Sequence, residues 1–168
     1  QQMGAISVVF PVGQILSGLG LLFGGGASSY ISRLLGAGDR KQANHVASTA
    51  LYSSLAIGVI ATLVIEIFMR NILLALGATE TILPFAVEYT SIFALGAIFT
   101  IISTTLNNVL TSEGAAKLSM IAMLLGAVLN VVLDPLLIYT FHLGIKGAAI
   151  ATVVSQAITT HNYLSSVT

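Results

Sequence analysis

Long apolar runs separated by short polar turns make up almost the whole chain. Runs of about 20 apolar residues, the length at which a helix crosses the bilayer core, recur at about 4–35, 45–69, 84–110, 117–139 and 145–164. The first run is rich in glycine (Gly13, Gly18, Gly20, Gly24, Gly25, Gly26) and carries Pro11, which predicts a bend or break near its start. Gly20 and Gly24 are spaced as a small-xxx-small seam for close helix contact. Gly18 to Gly24 superficially resembles a phosphate loop, but no strand precedes it and its surroundings are apolar. The connections read as tight turns. Gly36-Ala-Gly38 stops one helix and Asp39 N-caps the next, while Pro84 suits the first turn of the third run. Thr79-Glu-Thr81, Ser112-Glu-Gly114 and His142 to Gly147 supply the remaining turns, and no long linker or low-complexity stretch interrupts residues 1–168.

Composition turns this pattern into a class. Hydrophobic residues make up 56% of the chain and charged residues 7%, against roughly 25% charged in an ordinary soluble domain. The formal charges cancel, so no basic field exists to attract nucleic acid. The absence of cysteine removes disulfides, thiolate metal sites and cysteine nucleophiles together. Tryptophan is absent as well, leaving any interfacial aromatic belt to Tyr and Phe. The reading is an all-α, polytopic membrane helical bundle. The chain opens on Gln1 with no cleavable signal peptide, and is expected to be a fragment. Lys and Arg set the expected orientation: Arg33, Arg40, Lys41 and Lys117 fall on one side, Arg70 and Lys146 on the other, near Glu66, Glu80 and Glu88. The bias makes the Asp39 and Glu113 loops cytoplasmic and puts the tail after His161 inside.

Against this background Asp134 stands out. It lies in Leu129-Asn-Val-Val-Leu-Asp-Pro-Leu-Leu-Ile-Tyr139, with no other charge between Leu118 and Phe141. An ionisable group within a span is costly and points to function by default. Asn130 sits at i−4, on the same helical face. Together they offer an amide oxygen and a carboxylate, and Pro135 frees a backbone carbonyl one turn earlier. A hard cation such as Na⁺ needs several oxygen ligands, whereas a proton needs only the carboxylate. The plainer reading is that Asp134 pairs with a donor on a neighbouring helix and pins the bundle. Glu66 and Arg70, at i,i+4, are expected to form an interfacial ion pair. His45, His142 and His161 lie at different span ends and form no metal cluster. With no nucleophile–base pairing and no paired carboxylates within one helix, the chain is not expected to be an enzyme, and no cofactor beyond Na⁺ as a coupling ion is implied.

Several ordered motifs match a known family. Ser32-Arg-Leu-Leu-Gly-Ala-Gly-Asp-Arg-Lys-Gln-Ala-Asn44 resembles the loop after the second helix of multidrug and toxic compound extrusion (MATE) transporters. Leu76-Gly-Ala-Thr79 with Ile82-Leu-Pro-Phe-Ala-Val-Glu-Tyr89 is similar to that family's next, outward loop. Leu129 to Tyr139, followed by Leu143-Gly-Ile-Lys-Gly-Ala-Ala-Ile-Ala-Thr-Val-Val-Ser-Gln156, resembles the signature of its fifth and sixth helices. The resemblance implies that the five runs are helices two to six of the first of two pseudo-symmetric six-helix bundles in a twelve-helix transporter. The first helix, which carries an acidic coupling residue in this family, and the second bundle would then be missing partners. One departure stands at Thr111-Ser-Glu113, where many members have an arginine shortly before the glycine. The resemblance further aligns Asn107 and Thr152 with positions that line a cation site together with the equivalents of Asn130 and Asp134. On the residues alone, Thr152 in Gly147-Ala-Ala-Ile-Ala-Thr152 reads as a packing hydroxyl, while the amides Asn107 and Asn108 require partners.

The expected function is secondary active export of small, often cationic or amphipathic organic compounds, driven by an inward Na⁺ or H⁺ gradient across a bacterial or archaeal inner membrane. Expected partners are the small-molecule substrate, the coupling ion, membrane lipids and the missing helices. The alternatives are a lipid-linked-precursor flippase or polysaccharide exporter of the same broad superfamily, and a non-transporting membrane scaffold subunit. The first often has a cavity lined with basic residues, which these spans lack; the second needs no buried carboxylate.

Overall fold

A computed structural model describes residues 2–167 as an all-helical bundle, with no strand among the described residues. The helices are α1 (Gln2–Gly36), α2 (Arg40–Ala75), α3 (Leu83–Leu95), α4 (Ala97–Ser112), α5 (Ala116–Pro135) and α6 (Ile145–Val167). A π-helical turn, Leu136–Thr140, extends α5. The core is mostly apolar, but unlike that of a soluble domain the outer surface is apolar too and several hydroxyls lie inside. Ser54, Thr90, Ser103, Thr105, Ser119, Ser155, Thr159 and Thr160 are buried, while Tyr52, Val59, Leu63 and Ile67 of α2 and Ile121, Leu125, Val128 and Val132 of α5 are exposed. Outward apolar side chains suit a hydrocarbon solvent, and the inward hydroxyls of Ser54, Thr105, Thr159 and Thr160 bond helix carbonyls where no water is present. Gly4–Gly36, Arg40–Ala75 and Ala116–Thr140 are long and apolar enough to cross a membrane, as is the bent pair α3–α4. The fifth expected run, α6, is helical but is not among these helices, because Gln156, Thr159, Thr160, His161 and Asn162 dilute its apolar character.

The turns follow their local chemistry. Gly38 takes φ 80°, beyond the end of α1, and Asp39 Oδ1 accepts the Gln42 amide at 3.0 Å to cap α2. Gly77 and Gly114 close the next two hairpins at φ 93° and 84°. In these positions a side chain would be strained.

Packing fixes the rest. α1 lies against α2, α3 and α4; α6 packs on α3, α4 and α5. The α1–α4 crossing is close because of glycine. A Cβ at Gly20 would stand 2.7 Å from Thr104 Cβ and 2.9 Å from the Ile101 carbonyl, and one at Gly24 would stand 2.9 Å from Thr105 Cα. The Thr105 hydroxyl donates to the Ile101 carbonyl at 2.9 Å and reaches the Gly20 carbonyl at 3.3 Å.

Two local features differ from the sequence reading. α1 runs through Pro11 with no break. The break falls instead at Gly96, where α3 and α4 meet at 49°. There the Gly96 amide tightens onto the Phe93 carbonyl (2.9 Å), and the α2 hydroxyl of Thr62 stands 3.1 Å from the Ala94 carbonyl that the break releases. A polar group from a neighbouring helix thus replaces the lost backbone bond, as the bilayer core requires. Gly96 also packs directly on α6, since a Cβ there would meet Val153 Cγ2 at 2.7 Å.

Candidate cation-coupling site

Asp134 sits in the last turn of α5, and its Oδ1 is buried with no hydrogen-bond partner among the described residues. Among the described residues no donor on a neighbouring helix meets this oxygen. Two backbone effects shape its surroundings. Pro135 has no N–H, so the Val131 carbonyl lacks its helical donor. The π-helical turn follows at once, with Phe141 N donating to the Leu136 carbonyl at 3.2 Å. It is braced by α6, where a Cβ on Gly147 would stand 2.8 Å from the Leu137 carbonyl carbon. π-turns inside helices recur at functional sites because they re-aim the side chains and carbonyls around them.

Asn107 (α4), Asn130 (α5) and Thr152 (α6) line one cavity of about 480 Å³, together with Ser103, Thr104, Gln156, Thr159 and Tyr163. No charged side chain lines it. Asp134 itself is outside this lining. It lies within Coulombic range of the Tyr89 phenol, which stands beside the Thr152 hydroxyl. Thr152 and Gln156 also line a second cavity of about 240 Å³ facing α1, shared with Gln14, Ser17 and Tyr89. Thr152 and Gln156 therefore form the partition between the two cavities.

The oxygens of this set are differently committed. The Thr152 hydroxyl donates to the Ala148 carbonyl at 3.0 Å and also meets the Tyr89 phenol, which leaves a lone pair to accept a cation. Asn107 donates its amide to the Tyr163 hydroxyl at 2.8 Å and keeps its carbonyl oxygen available. Asn108, its neighbour, donates back to the Thr104 carbonyl at 2.8 Å and plays no part in the cavity. Tyr89 is the residue that sequence reasoning passes over. It is 8% exposed and stacks on Phe93 with centroids 5.7 Å apart, which holds the phenol beside Thr152. Its only signal in the sequence is a run of polar groups, Glu88-Tyr-Thr90, inside an apolar span.

Other charges are peripheral. Glu88 and Lys146 form an ion pair at 2.7 Å between the starts of α3 and α6, with 37% and 51% of their side chains exposed. Glu66 and Arg70, expected to pair, form no ion pair among the described residues; both are exposed on α2. No group of three or more His, Cys, Asp or Glu side chains is placed to hold a metal among the described residues.

A family model described as MatE matches residues 1–136. The chain belongs to the MatE family. It is 42% identical over 154 residues to the multidrug export protein MepA of Staphylococcus aureus strain MSSA476, covering 92% of this chain and 34% of that protein. To MepA of Staphylococcus saprophyticus it is 40% identical over 156 residues, 93% of this chain and 35% of that protein. Among solved structures it matches an inward-facing multidrug resistance MATE family transporter of the MOP superfamily with a TM-score of 0.95 and 34% identity, covering 99% of this chain and 38% of that one. An outward-facing MATE family transporter of that superfamily gives 0.88 and 36%, covering 98% and 36%. The MatE chain spans about a third of the length of the curated relatives it matches. The all-helical bundle is thus the MATE fold, in a multi-pass membrane segment.

Proposed function

We propose that this MatE segment forms the cation-coupling part of a secondary active antiporter that exports small, often cationic or amphipathic organic compounds, driven by an inward Na⁺ or H⁺ gradient. The observation that carries the reading is the Asp134 Oδ1, buried with no hydrogen-bond partner among the described residues and one helical turn after Asn130, which lines the neutral cavity. A carboxylate oxygen buried without a partner is a high-energy state that a bound cation or proton relieves. Asn130, Thr152 and the carbonyl oxygen of Asn107 supply neutral oxygens around the approach to it. Such groups stabilise a cation without cancelling its charge in advance, so binding stays reversible. Coupling follows if the ion binds the two packings of the bundle with different affinity, because it can shift their balance only by that difference. The elements placed to respond are the π-helical turn next to Asp134, braced on Gly147, and the Gly96 break, braced on Val153 beside Thr152.

The multidrug export proteins and MATE transporters similar to this chain support drug-like organic compounds as the substrate class. The test is drug efflux by the full-length transporter in vesicles of a bacterial membrane lipid extract, with Na⁺ and proton gradients imposed separately. Efflux that follows one of the two gradients and stops when it is dissipated is the expected result. Uphill efflux indifferent to both gradients would contradict antiport.

A further inference from the structure

Away from the coupling residues, a larger cavity opens at the end of the bundle that carries Arg33, Arg40, Lys41 and Lys117. It measures about 690 Å³ and lies between the end of α1, the first turns of α2 and the last turns of α4. α2 faces it with Arg40, Asn44, Ser48 and Leu51, at i, i+4, i+8 and i+11, which is one helical stripe. α4 faces it with Leu106, Val109 and Glu113, and α1 with Leu35. α2 packs on α1, α3 and α4 and turns Tyr52, Val59 and Leu63 outward. The cavity therefore lies beside a helix whose outer face meets lipid.

Its lining is graded. At 1.5 Å per residue, Asn44 lies roughly 6 Å, Ser48 roughly 12 Å and Leu51 roughly 17 Å along α2 from Arg40. The headgroup zone of a bilayer is roughly 5–7 Å deep on each side before the hydrocarbon begins. With Arg40 at the membrane surface, a guanidinium, a carboxylate and an amide stand at headgroup depth. The Ser48 hydroxyl follows, and Leu51 packs with Leu106 further in. Arg40 and Glu113 are both exposed, and neither forms an ion pair among the described residues. Two opposite charges that share a cavity without pairing leave an anion seat and a cation seat side by side. The Arg40 guanidinium is a fork that matches phosphate oxygens, and the Glu113 carboxylate accepts from an ammonium. An anionic headgroup would meet repulsion from Glu113, and a quaternary ammonium has no N–H to donate to it.

We propose that this crevice between α2 and α4 binds a phospholipid whose headgroup carries both a phosphate and a primary ammonium. Arg40 holds the phosphate and Glu113 the ammonium. Asn44 and Ser48 meet the glycerol and ester oxygens, and an acyl chain runs from Leu51 and Leu106 into the surrounding lipid. The crevice and such a lipid share one gradation, from charged through polar to apolar along the membrane normal, which a soluble anion lacks. The site does not depend on the role of Asp134.

The test uses the full-length transporter in detergent, with bound lipid measured by native mass spectrometry. Phosphatidylethanolamine, phosphatidylglycerol and phosphatidylcholine with matched acyl chains are added at equal concentration. The parent is expected to retain phosphatidylethanolamine about tenfold more tightly than either of the others. Arg40→Gln should weaken that retention about tenfold, the low end for losing a hydrogen bond to a charged group. Glu113→Gln should weaken it too and relieve the repulsion of phosphatidylglycerol, so that the preference between these two lipids disappears. Lys41→Gln, at the same end but outside the lining, should leave retention within about twofold of the parent. Glycerophosphoethanolamine, which has the headgroup and no acyl chains, should fail to displace the lipid at about tenfold excess. Equal retention of the three lipids, a preference for phosphatidylglycerol, or an equal loss in Lys41→Gln overturns the proposal. So does displacement by the soluble headgroup. Absence of bound lipid, the outcome if another segment of the transporter covers the crevice, overturns it as well.

Discussion

Gly20→Ala, read against Gly18→Ala, probes how tightly α1 is held on α4. A Cβ at Gly20 would stand 2.7 Å from Thr104 Cβ and 2.9 Å from the Ile101 carbonyl, whereas one at Gly18 would meet nothing within 4 Å. Optimal carbon contacts lie near 3.5–4.0 Å, so α1 must move away by roughly 0.6–1 Å. One obstacle is backbone, and no rotamer change relieves it. Overpacking of this kind costs about 1–3 kcal/mol. Both substitutions also gain the helix preference of alanine over glycine, about 1 kcal/mol. That gain cancels in the comparison and leaves a difference of about 1–3 kcal/mol against Gly20→Ala. Thermal unfolding of the two purified full-length variants measures it, with an expected gap of about 1–3 °C, given roughly 1 °C per kcal/mol for a protein about three times the length of this chain. Movement of α1 should also weaken the bond from Thr105 to the Gly20 carbonyl. Equal melting temperatures for the two variants would refute the close seam.

Two further outcomes follow from the packing. Thr62→Val leaves the Ala94 carbonyl at the Gly96 break without its cross-helix donor; a loss of about 0.6–1.7 kcal/mol, the range for hydrogen bonds between membrane helices, is expected in denaturant unfolding, and no loss would mean the break is satisfied by other means. Glu88→Gln removes the partner of Lys146 at an exposed pair, so stability should change by less than about 1 kcal/mol and that change should shrink at high salt; a salt-independent loss larger than this in the same unfolding assay would show that the pair is structurally important.

The residues made much of this legible before any coordinates. Asp39 capping α2 and the glycine turns at Gly38 and Gly114 follow from backbone chemistry alone. The Asn130–Asp134 face follows from helical spacing. Gly96 was hidden because a lone glycine in an apolar run has no local signature; its break is set by Val153 on one side and Thr62 on the other. Pro11 does not break α1, since a proline within a long helix can be accommodated without ending it. Tyr89 was missed, and Asn107 only half understood, because their partners, Thr152 and Tyr163, lie more than 50 positions away in the chain. Spacing identifies which groups share a helix face; only the packing of helices decides which faces meet.

The central claim is that Asp134 couples ion entry to export, and Asp134→Asn addresses it most directly. The substitution keeps the shape and removes the charge that a cation would neutralise. Drug efflux by the full-length transporter, driven by whichever gradient energises the parent, should fall at least about tenfold, the scale of 1.4 kcal/mol or more of lost coupling energy. Passive equilibration of the drug should persist, and added Na⁺ should no longer change thermal stability if Na⁺ is the driving ion. Efflux at the parental rate, still responding to the imposed gradient, would contradict the account.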